Sequence, residues 1–480
     1  MPENNTTARP NVLLISTDHW PASLMEAEDH PCILTPTLNG LCREGTRFAN
    51  AYSECPVCVP ARRSLMTGLT PTGHGLRKNG QMEMPPVPSL AQTFRDHGYQ
   101  TQAVGKLHVH PQRDRIGFDE VLVEEEGRAH EGLGPDDYEI FLADHGHAGE
   151  RFAGGMNNNE YLWRPWHLDE RLHVTNWAAT QTARAIRRRD PRRPGFWYLS
   201  FSHPHPPLAP LRDYLEMYRD ADIPDPFVGD WAGKAYSEKE LKRIRDIRRA
   251  FYALCTHIDH QIRVVLGTLR EEGLIDNTIL CFTSDHGEML GNHRRWAKRV
   301  FYEDSTRVPM LLWGAKGDER VKRGATDDRL VCHADLMPTL LDLAGLPVPE
   351  HVEGRSMVGQ TRNDFIFGEQ GDAGDGSRMV RKGTHKLIYW PRENRCQLFD
   401  LNPDPLEKRD LADAPDSQSV REELEAILIR ELSARTPEWV RDGGLAGAPE
   451  APPKTYTNRG LSGQRGLHWP PPPIKAVSWG

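Results

Sequence analysis

Two cysteines three residues apart open the question of chemistry in this chain: the stretch SECPVCVPARRSLMTG, Ser53 to Gly68, carries Cys55 and Cys58. Their spacing suits a redox pair or half of a zinc site. A zinc site needs a second ligand pair, and a redox pair needs a helix start within a suitable βαβ unit. Cys32 and Cys42 do not form such a pair, and Pro60 is unusual two residues after a zinc-knuckle cysteine, so the metal and redox readings of this pair are weak. Two Asp-His dipeptides are more suggestive: Asp18-His19 closes the apolar run NVLLIST, and Asp285-His286 closes NTILCFTS. Carboxylates are hard ligands and imidazole adds a nitrogen suited to transition metals, so the two dipeptides brought together suit a divalent cation. Such an ion would polarise a bound anion and lower the pKa of a coordinated nucleophile. The plainer alternative is a turn at Asp-His-Gly and a cap at Asp18. Lys106, His108, His205 and Lys298 offer what an anionic ester requires, fixed positive charge and a donor for a departing oxygen. Each of these alone reads equally well as a solvated surface group, Lys298 above all, within the basic run NHRRWAKR.

The elements around these residues argue that they meet. NVLLIST reads as a buried parallel strand that delivers Asp18 and His19 at its carboxyl end. LTPTLNGLCREG follows as a helix, with Thr35 as cap, Pro36 in the first position and Gly45 beyond the end. PSLAQTFRDHG is a second helix stopped by Gly98, and YQTQAVGKLH a strand ending at Lys106 and His108. GFWYLSFSHPHPP runs into His203 and His205, and a long helix from about Ser237 to Glu272 leads into the strand that ends at Asp285. Alternating strands and helices predict an α/β fold, in which ligands bind beyond the carboxyl ends of the strands. Four strands finishing in Asp, His or Lys therefore predict one polar pocket.

Beyond HADLMPTLLDLAGL the grammar changes to short alternating strands, SRMVRKGTHKLIYW and CQLFDL, and a charged helix near Ser417 to Ser433. The expected division is a catalytic domain over 1–370, a small antiparallel subdomain with its helix over 371–442, and a Gly/Pro-rich tail over 443–480. The tail, with Trp469 and the Pro470 to Pro473 run, is expected beside the active site or at the interface of a homo-oligomer. Composition sets further bounds. With 38% hydrophobic residues and 60 basic against 68 acidic side chains, net charge −8, the chain is an ordinary globular protein and not a general nucleic-acid binder. MPENNTTARP lacks the basic start and apolar core of a signal peptide, and no run approaches membrane-spanning length, so a cytoplasmic protein without a membrane partner is expected. Eight cysteines are few for this length, and most are expected as free thiols.

Cys58-Val59-Pro60-Ala61-Arg62, followed by SLMTG, resembles the Cys-x-Pro-x-Arg segment of the sulfatase family, in which the cysteine is oxidised after translation to formylglycine. NVLLISTDH, GKLH, PHPP, TSDHGE, KRVFYEDSTRVP and HKLIYW with QLFDLNPDPLE resemble sulfatase segments in family order, over roughly Pro10 to Ala412. The resemblance implies an alkaline-phosphatase-like fold, a large sheet sandwiched by helices with a smaller C-terminal antiparallel sheet plus helix. It implies a sulfuric ester hydrolase with one divalent metal ion, Ca2+ or Mn2+, and 3-oxoalanine (formylglycine) from Cys58. Asp18, Asp285 and His286 then match metal ligands together with the modified Cys58, and Asp285 helps to deprotonate the nucleophile. Arg62 holds the formylglycine hydroxyl, Lys106 and Lys298 clamp the sulfuryl oxygens, and His205 protonates the departing alcohol or phenol. His108 matches the base that breaks the hemiacetal, so that sulfate leaves by elimination and the aldehyde returns. His19 stands where the family commonly has Asp or Gln and is either a ligand or a substrate contact; two imidazoles make manganese a live alternative to calcium. The implied partners are a small-molecule or saccharide sulfate ester and a formylglycine-generating enzyme.

Three rivals stand beside this reading. Phosphonate monoester or phosphodiester hydrolases share the formylglycine and the metal, and resemble this chain in KNG at 78–80, which makes Asn79 a candidate substrate contact. They tend to replace the Lys and His of GKLH by neutral hydroxyl residues, which favours the sulfatase. A non-catalytic sulfated-glycan-binding protein is disfavoured by complete nucleophile, metal and clamp positions. A zinc or redox module at Cys55 and Cys58 is the third. Substrate identity is expected in the long loop EEGRAHEGLGPDDYEIFLADHGHAGERFAGGMNNNEYLWRPWH.

Overall fold

A computed structural model describes residues 9–127, 134–156 and 158–448. Trp469 and the proline run lie outside the described residues, as does part of the long loop. Eight strands form one sheet: β1 (Asn11–Thr17), β2 (Thr46–Tyr52), β3 (Gln100–Gly105), β4 (Glu120–Val123), β5 (Gly195–Ser200), β6 (Thr278–Ser284), β7 (Met310–Trp313) and β8 (Ala325–Cys332), in the order β4-β3-β5-β1-β6-β7-β2-β8. Seven strands run one way. β7 opposes both of its neighbours, β6 and β2, which makes the sheet mixed.

Strand β1 lies at the centre and is buried along its whole length. Its alternate residues serve opposite layers: Leu13 and Ile15 pack with the helices Val174–Arg187 and Glu238–Glu271, while Val12 and Leu14 pack with Leu90–Asp96 and Leu336–Leu343. A strand buried on both faces needs apolar side chains at every position, which is why NVLLI has no alternation. Truncating one of these leucines to alanine costs about 2–5 kcal/mol.

The helix starting at Pro36 spans Pro36–Glu44 with Thr35 at its N-cap, but Thr35 does not cap it with its side chain. Asp259, from the long helix, does so from a distance: its carboxylate accepts the backbone N–H groups of Thr37 at 3.0 Å and Leu38 at 2.8 Å. The free N–H groups of a first turn accept any well-placed oxygen, local or not.

Four further strands, β9 (Ile366–Gln370), β10 (Ser377–Lys382), β11 (His385–Trp390) and β12 (Arg395–Asp400), form an antiparallel meander. β9 falls on the N-terminal side of position 370 yet pairs with β10 in this small sheet. One face of the meander, with Val380, Leu387 and Leu398, covers the helix Gln418–Arg435 through Leu424, Leu428 and Leu432. The other face, with Met379, Ile388 and Phe399, packs on Tyr52, Phe301 and Tyr302 of the large sheet's surroundings. The fold is therefore the alkaline-phosphatase-like arrangement that the resemblance implied. Among the described residues no helix is long and apolar enough to cross a membrane.

Candidate active site

Adjacent strands β3, β5, β1 and β6 all end at one edge, where the chain continues into Lys106, His205, Asp18-His19 and Asp285-His286 respectively. A fifth strand, β2, delivers Cys58 through a short loop: Ser53 Oγ donates to the carbonyl of Asp285 at 2.8 Å, and Cys58 then begins the helix Cys58–Thr67. Every residue of that helix is buried. Its first turn has no capping side chain of its own. Asn79 supplies one, its Oδ1 accepting Val59 N–H at 3.1 Å.

Local backbone conformation is unusual here. His19, His108 and Glu126 all have positive φ, 67°, 58° and 58°, a region few non-glycine residues occupy. Such conformations persist where surrounding contacts over-determine them, and they cluster at functional sites. Gly105, φ 103°, has a different reason. A Cβ there would lie 1.9 Å from the carbonyl oxygen of Ser200, and that close approach lets Lys106 N–H bond the same oxygen at 3.0 Å.

Asp18, His19, Cys58 and His286 offer ligand atoms that lie within 4.8 Å of one another, all buried. His286 Nε2 is 3.2 Å from Cys58 Sγ, 3.5 Å from Asp18 Oδ1 and 3.6 Å from Asp285 Oδ1. Its Nδ1 faces the carbonyl of Gly287 at 2.9 Å, which fixes Nδ1 as the donor and turns the Nε2 lone pair inward. His19 is oriented the same way, Nδ1 to Glu288 Oε2 at 2.6 Å, with Nε2 inward beside Lys298 Nζ. The Asp18 carboxylate, two inward imidazole nitrogens and the Cys58 thiol thus face each other, with Asp285 at the edge, its Oδ1 accepting the backbone N–H of His286 at 2.8 Å and its Oδ2 accepting Arg62 Nε at 3.0 Å. That donor set fits a divalent cation.

Cations surround the cluster. Lys106 Nζ bonds Asp18 Oδ2 and lies 2.6 Å from Glu126 Oε1. Arg62 donates from Nε to Asp285 Oδ2 at 3.0 Å and from Nη1 to Ser200 Oγ at 2.7 Å and the Lys106 carbonyl at 2.9 Å. Burial pushes the Asp18 carboxyl up, but Lys106, His205, His19 and Lys298 outweigh it and hold the group well below the carboxylate range. Burial and Asp18 likewise push the Cys58 thiol up, and Lys298, Lys106 and His286 bring it below the ordinary thiol value. Burial, with Asp18 beside it, raises Asp285.

His205 donates from Nδ1 to the carbonyl of Pro206 at 2.6 Å, its ring lies 4.4 Å from that of His19, and its buried Nε2 has no hydrogen-bond partner. Burial lowers it to about 3. Phe152, Trp166, His167 and His203 line a pocket alongside it. His108 is held one step outward, its backbone N–H on Glu125 Oε1 at 2.6 Å and its Nδ1 3.6 Å from Glu125 Oε2.

The two cysteines of the opening motif part company. Cys58 faces Asp18 and His286, whereas Cys55 Sγ lies against the carbonyl of Arg77 at 3.4 Å, and burial raises that thiol well above its ordinary value. All eight cysteines are free, and Cys55 and Cys58 face different partners, so no disulfide joins the pair. Sequence reasoning missed Glu126, Glu288 and Tyr161. The available signal was Glu124-Glu125-Glu126, three consecutive glutamates that are all buried at the end of β4.

Comparison with known proteins agrees with this geometry. The family profile described as Sulfatase matches residues 10–346, and one described as N-sulphoglucosamine sulphohydrolase, C-terminal, matches residues 291–434. The chain is 34% identical over 473 residues to an arylsulfatase of Clostridium perfringens, covering 92% of this chain and 98% of that protein. It is 28% identical over 486 residues to a choline-sulfatase of Rhizobium meliloti, with 91% of each covered. In fold it resembles the crystal structure of a phosphonate monoester hydrolase of Agrobacterium radiobacter, at TM-score 0.75 and 22% identity, covering 92% of this chain and all of that one (100%).

Proposed function

This chain belongs to the sulfatase family and is a hydrolase of sulfate esters, and we propose that it works through a formylglycine made from Cys58 beside a divalent metal held by Asp18, His19, Asp285 and His286. The observation that carries the reading is the position of Cys58. It is the first residue of a fully buried helix, with Sγ 3.2 Å from His286 Nε2 and 3.8 Å from Asp18 Oδ1. When bound, the metal supplies Lewis-acid polarisation, and the aldehyde, once hydrated, supplies the nucleophilic hydroxyl. Two inward imidazole nitrogens beside the carboxylates favour manganese over calcium.

The chain's own residues then divide the remaining work. Arg62, anchored on Asp285 and Ser200, presents Nη2, a buried donor with no hydrogen-bond partner, 3.7 Å from Asp18 Oδ2, and holds the nucleophile's oxygen. Lys106 and Lys298 stabilise negative charge on the sulfuryl oxygens. Asp285, raised in this environment, accepts a proton from the nucleophile. His205 gives a proton to the leaving oxygen. Its Nδ1 bond to Pro206 aims Nε2 into the site, and an anionic substrate beside it raises its proton affinity from the low value that burial imposes. His108, paired with Glu125, serves as the base that restores the aldehyde. Asn79 contacts the substrate through its amide nitrogen, since its oxygen is engaged by Val59. The substrate is an organic sulfate monoester, a small molecule or a saccharide, and maturation requires a formylglycine-generating enzyme.

A phosphonate monoester is the second substrate class to weigh, on the strength of Asn79 within KNG. Lys106 and His108 favour sulfate. The test is mass spectrometry of the peptide spanning Cys58, from protein produced with a formylglycine-generating enzyme, alongside turnover of an aryl sulfate and a phenylphosphonate monoester. Thiol converted to aldehyde with faster sulfate release supports the reading. Conversion with phosphonate preferred moves the assignment to the second class, and an unmodified thiol without turnover overturns the mechanism.

A further inference from the structure

Tyr161 joins the active site to a second feature. Its hydroxyl lies 2.5 Å from Glu288 Oε2 and its ring 5.0 Å from that of Trp296, while with Leu162 and Trp163 it forms one bank of a groove. The other bank is the start of the long helix, where Lys239, Lys242 and Arg243 are spaced so as to share one face. All three are exposed. Their neighbours are occupied: Glu240 with Arg294 at 2.8 Å, Arg245 with Asp225 at 2.6 Å, and Asp246, the one acid lining the groove, with Arg249 at 2.8 Å. Among the described residues no acid pairs with Lys239, Lys242 or Arg243. Three uncompensated cations gathered on a chain of net charge −8 are a local exception to its overall balance.

The aromatic bank is both exposed and fixed. Trp163 is 38% and Leu162 43% exposed, large apolar side chains left in solvent. Leu208 N–H donates to the Leu162 carbonyl at 3.1 Å, and Arg164 N–H to the Leu208 carbonyl at 3.0 Å, so this strip is pinned to the segment that carries His205 three residues earlier. An indole face suits the C–H face of a pyranose ring, and lysine and arginine suit sulfate oxygens.

We propose that this groove is a binding subsite for a second sulfated residue of an oligosaccharide whose scissile ester lies at Cys58. The proposal rests on the sulfatase reading of the catalytic site and narrows its substrate class to polysulfated saccharides. Tyr161 links the two places: it lines the groove, and its hydroxyl bonds the carboxylate that orients His19.

The experiment is calorimetric titration of the full chain with a heparin-derived hexasaccharide, with 4-nitrophenyl sulfate turnover measured in parallel. The variants are the triple Lys239→Ser, Lys242→Ser, Arg243→Ser and, separately, Trp163→Ala. The triple variant is expected to weaken hexasaccharide binding roughly 10- to 100-fold. Trp163→Ala is expected to weaken it about 10-fold. Neither touches the catalytic cluster, so aryl sulfate kcat/KM stays within about twofold of wild type. Binding is read without turnover, so protein that carries an unconverted Cys58 still reports on the groove, and failure of the catalytic reading shows separately as absent aryl sulfate hydrolysis. No binding to wild type, unchanged affinity in the triple variant, or equal affinity for a single-stranded oligothymidine of similar charge would each overturn the proposal.

Discussion

His19 Nδ1 lies 2.6 Å from Glu288 Oε2, and this contact decides which nitrogen the metal-type cluster receives. A carboxylate only accepts, so Nδ1 carries the proton and Nε2 enters the cluster as a lone pair. The other oxygen, Oε1, accepts the backbone N–H groups of Ala297 at 2.6 Å and Leu290 at 3.1 Å, which holds the loop bearing Lys298. One buried carboxylate therefore orients a candidate ligand and the candidate clamp together. Glu288→Gln keeps an oxygen for the loop but offers an amide donor to Nδ1, which reverses the tautomer. Affinity for Mn2+ in chelator competition is expected to fall about 10- to 100-fold, with the unfolding midpoint close to wild type. In a His19→Gln background the same change is expected to have little further effect. Equal losses in both backgrounds would show that Glu288 acts on the fold alone.

Lys298 and Arg62 separate charge stabilisation from scaffolding. Lys298 is half-buried and has the inner face of His19 as its neighbour, whereas Arg62 is buried and bound to Asp285, Ser200 and a main-chain carbonyl. Lys298→Ala is expected to lower kcat/KM for an aryl sulfate about 10²- to 10³-fold. Its unfolding free energy should stay within about 0.5 kcal/mol of wild type, as for other substitutions away from the core. Arg62→Ala leaves Asp285 buried without its partner and is expected to cost about 3–5 kcal/mol in urea unfolding as well as activity.

Much of this site was readable because β1 and β6 are unbroken apolar runs closed by Asp-His, and a buried strand cannot carry such residues except at its end. GKLH was readable for the same reason, whereas the role of Cys58 was legible only through the resemblance of its segment to the Cys-x-Pro-x-Arg segment of the sulfatase family. What escaped notice depends on distant approach. Glutamate is ordinarily a surface residue, so nothing local marks Glu126 as the partner of Lys106 or Glu288 as the partner of His19. Strand β2, TRFANAY, is half-buried at Arg47, Asn50 and Ala49 and lacks a clear period, yet it is the strand that leads to Cys58. Thr35 is the local candidate for the cap of the helix at Pro36, but the oxygens come instead from Asp259, more than two hundred residues away in sequence.

The cap that Asn79 forms and its proposed contact with substrate are separable. The side-chain oxygen caps the helix that begins at Cys58, and the amide nitrogen is the group available to an anion. Asn79→Ala is expected to lose about 1 kcal/mol of stability from the cap. Asn79→Asp retains the accepting oxygen and removes the donor, so stability should hold while KM for an aryl sulfate rises roughly tenfold or more. A change in stability without any change in KM would leave Asn79 a cap only.

Histidine 257 tests how the buried histidines set acid stability. His257 is buried, bonds Asn176 Oδ1 through Nε2 at 2.5 Å, and has no hydrogen-bond partner on Nδ1. Burial, with His203 and His260 nearby, holds its pKa at about 3. An unfolded chain takes up this proton near pH 6.5, while the folded chain refuses it down to about pH 3. Between those values the unfolded state binds more protons, so stability falls as pH falls, by about 2 kcal/mol from pH 7 to pH 5 for this group alone. His74 and His333, at about 3 and about 4, act with the same sign; Glu54, raised to about 7 by burial, acts with the opposite one. Comparing His257→Gln with wild type cancels those shared contributions. The difference in unfolding free energy between the two proteins is expected to shift in favour of the variant by about 2 kcal/mol on going from pH 7 to pH 5. Parallel pH profiles would mean that His257 already accepts a proton in the folded state, which its unpartnered Nδ1 would then have to find room to keep.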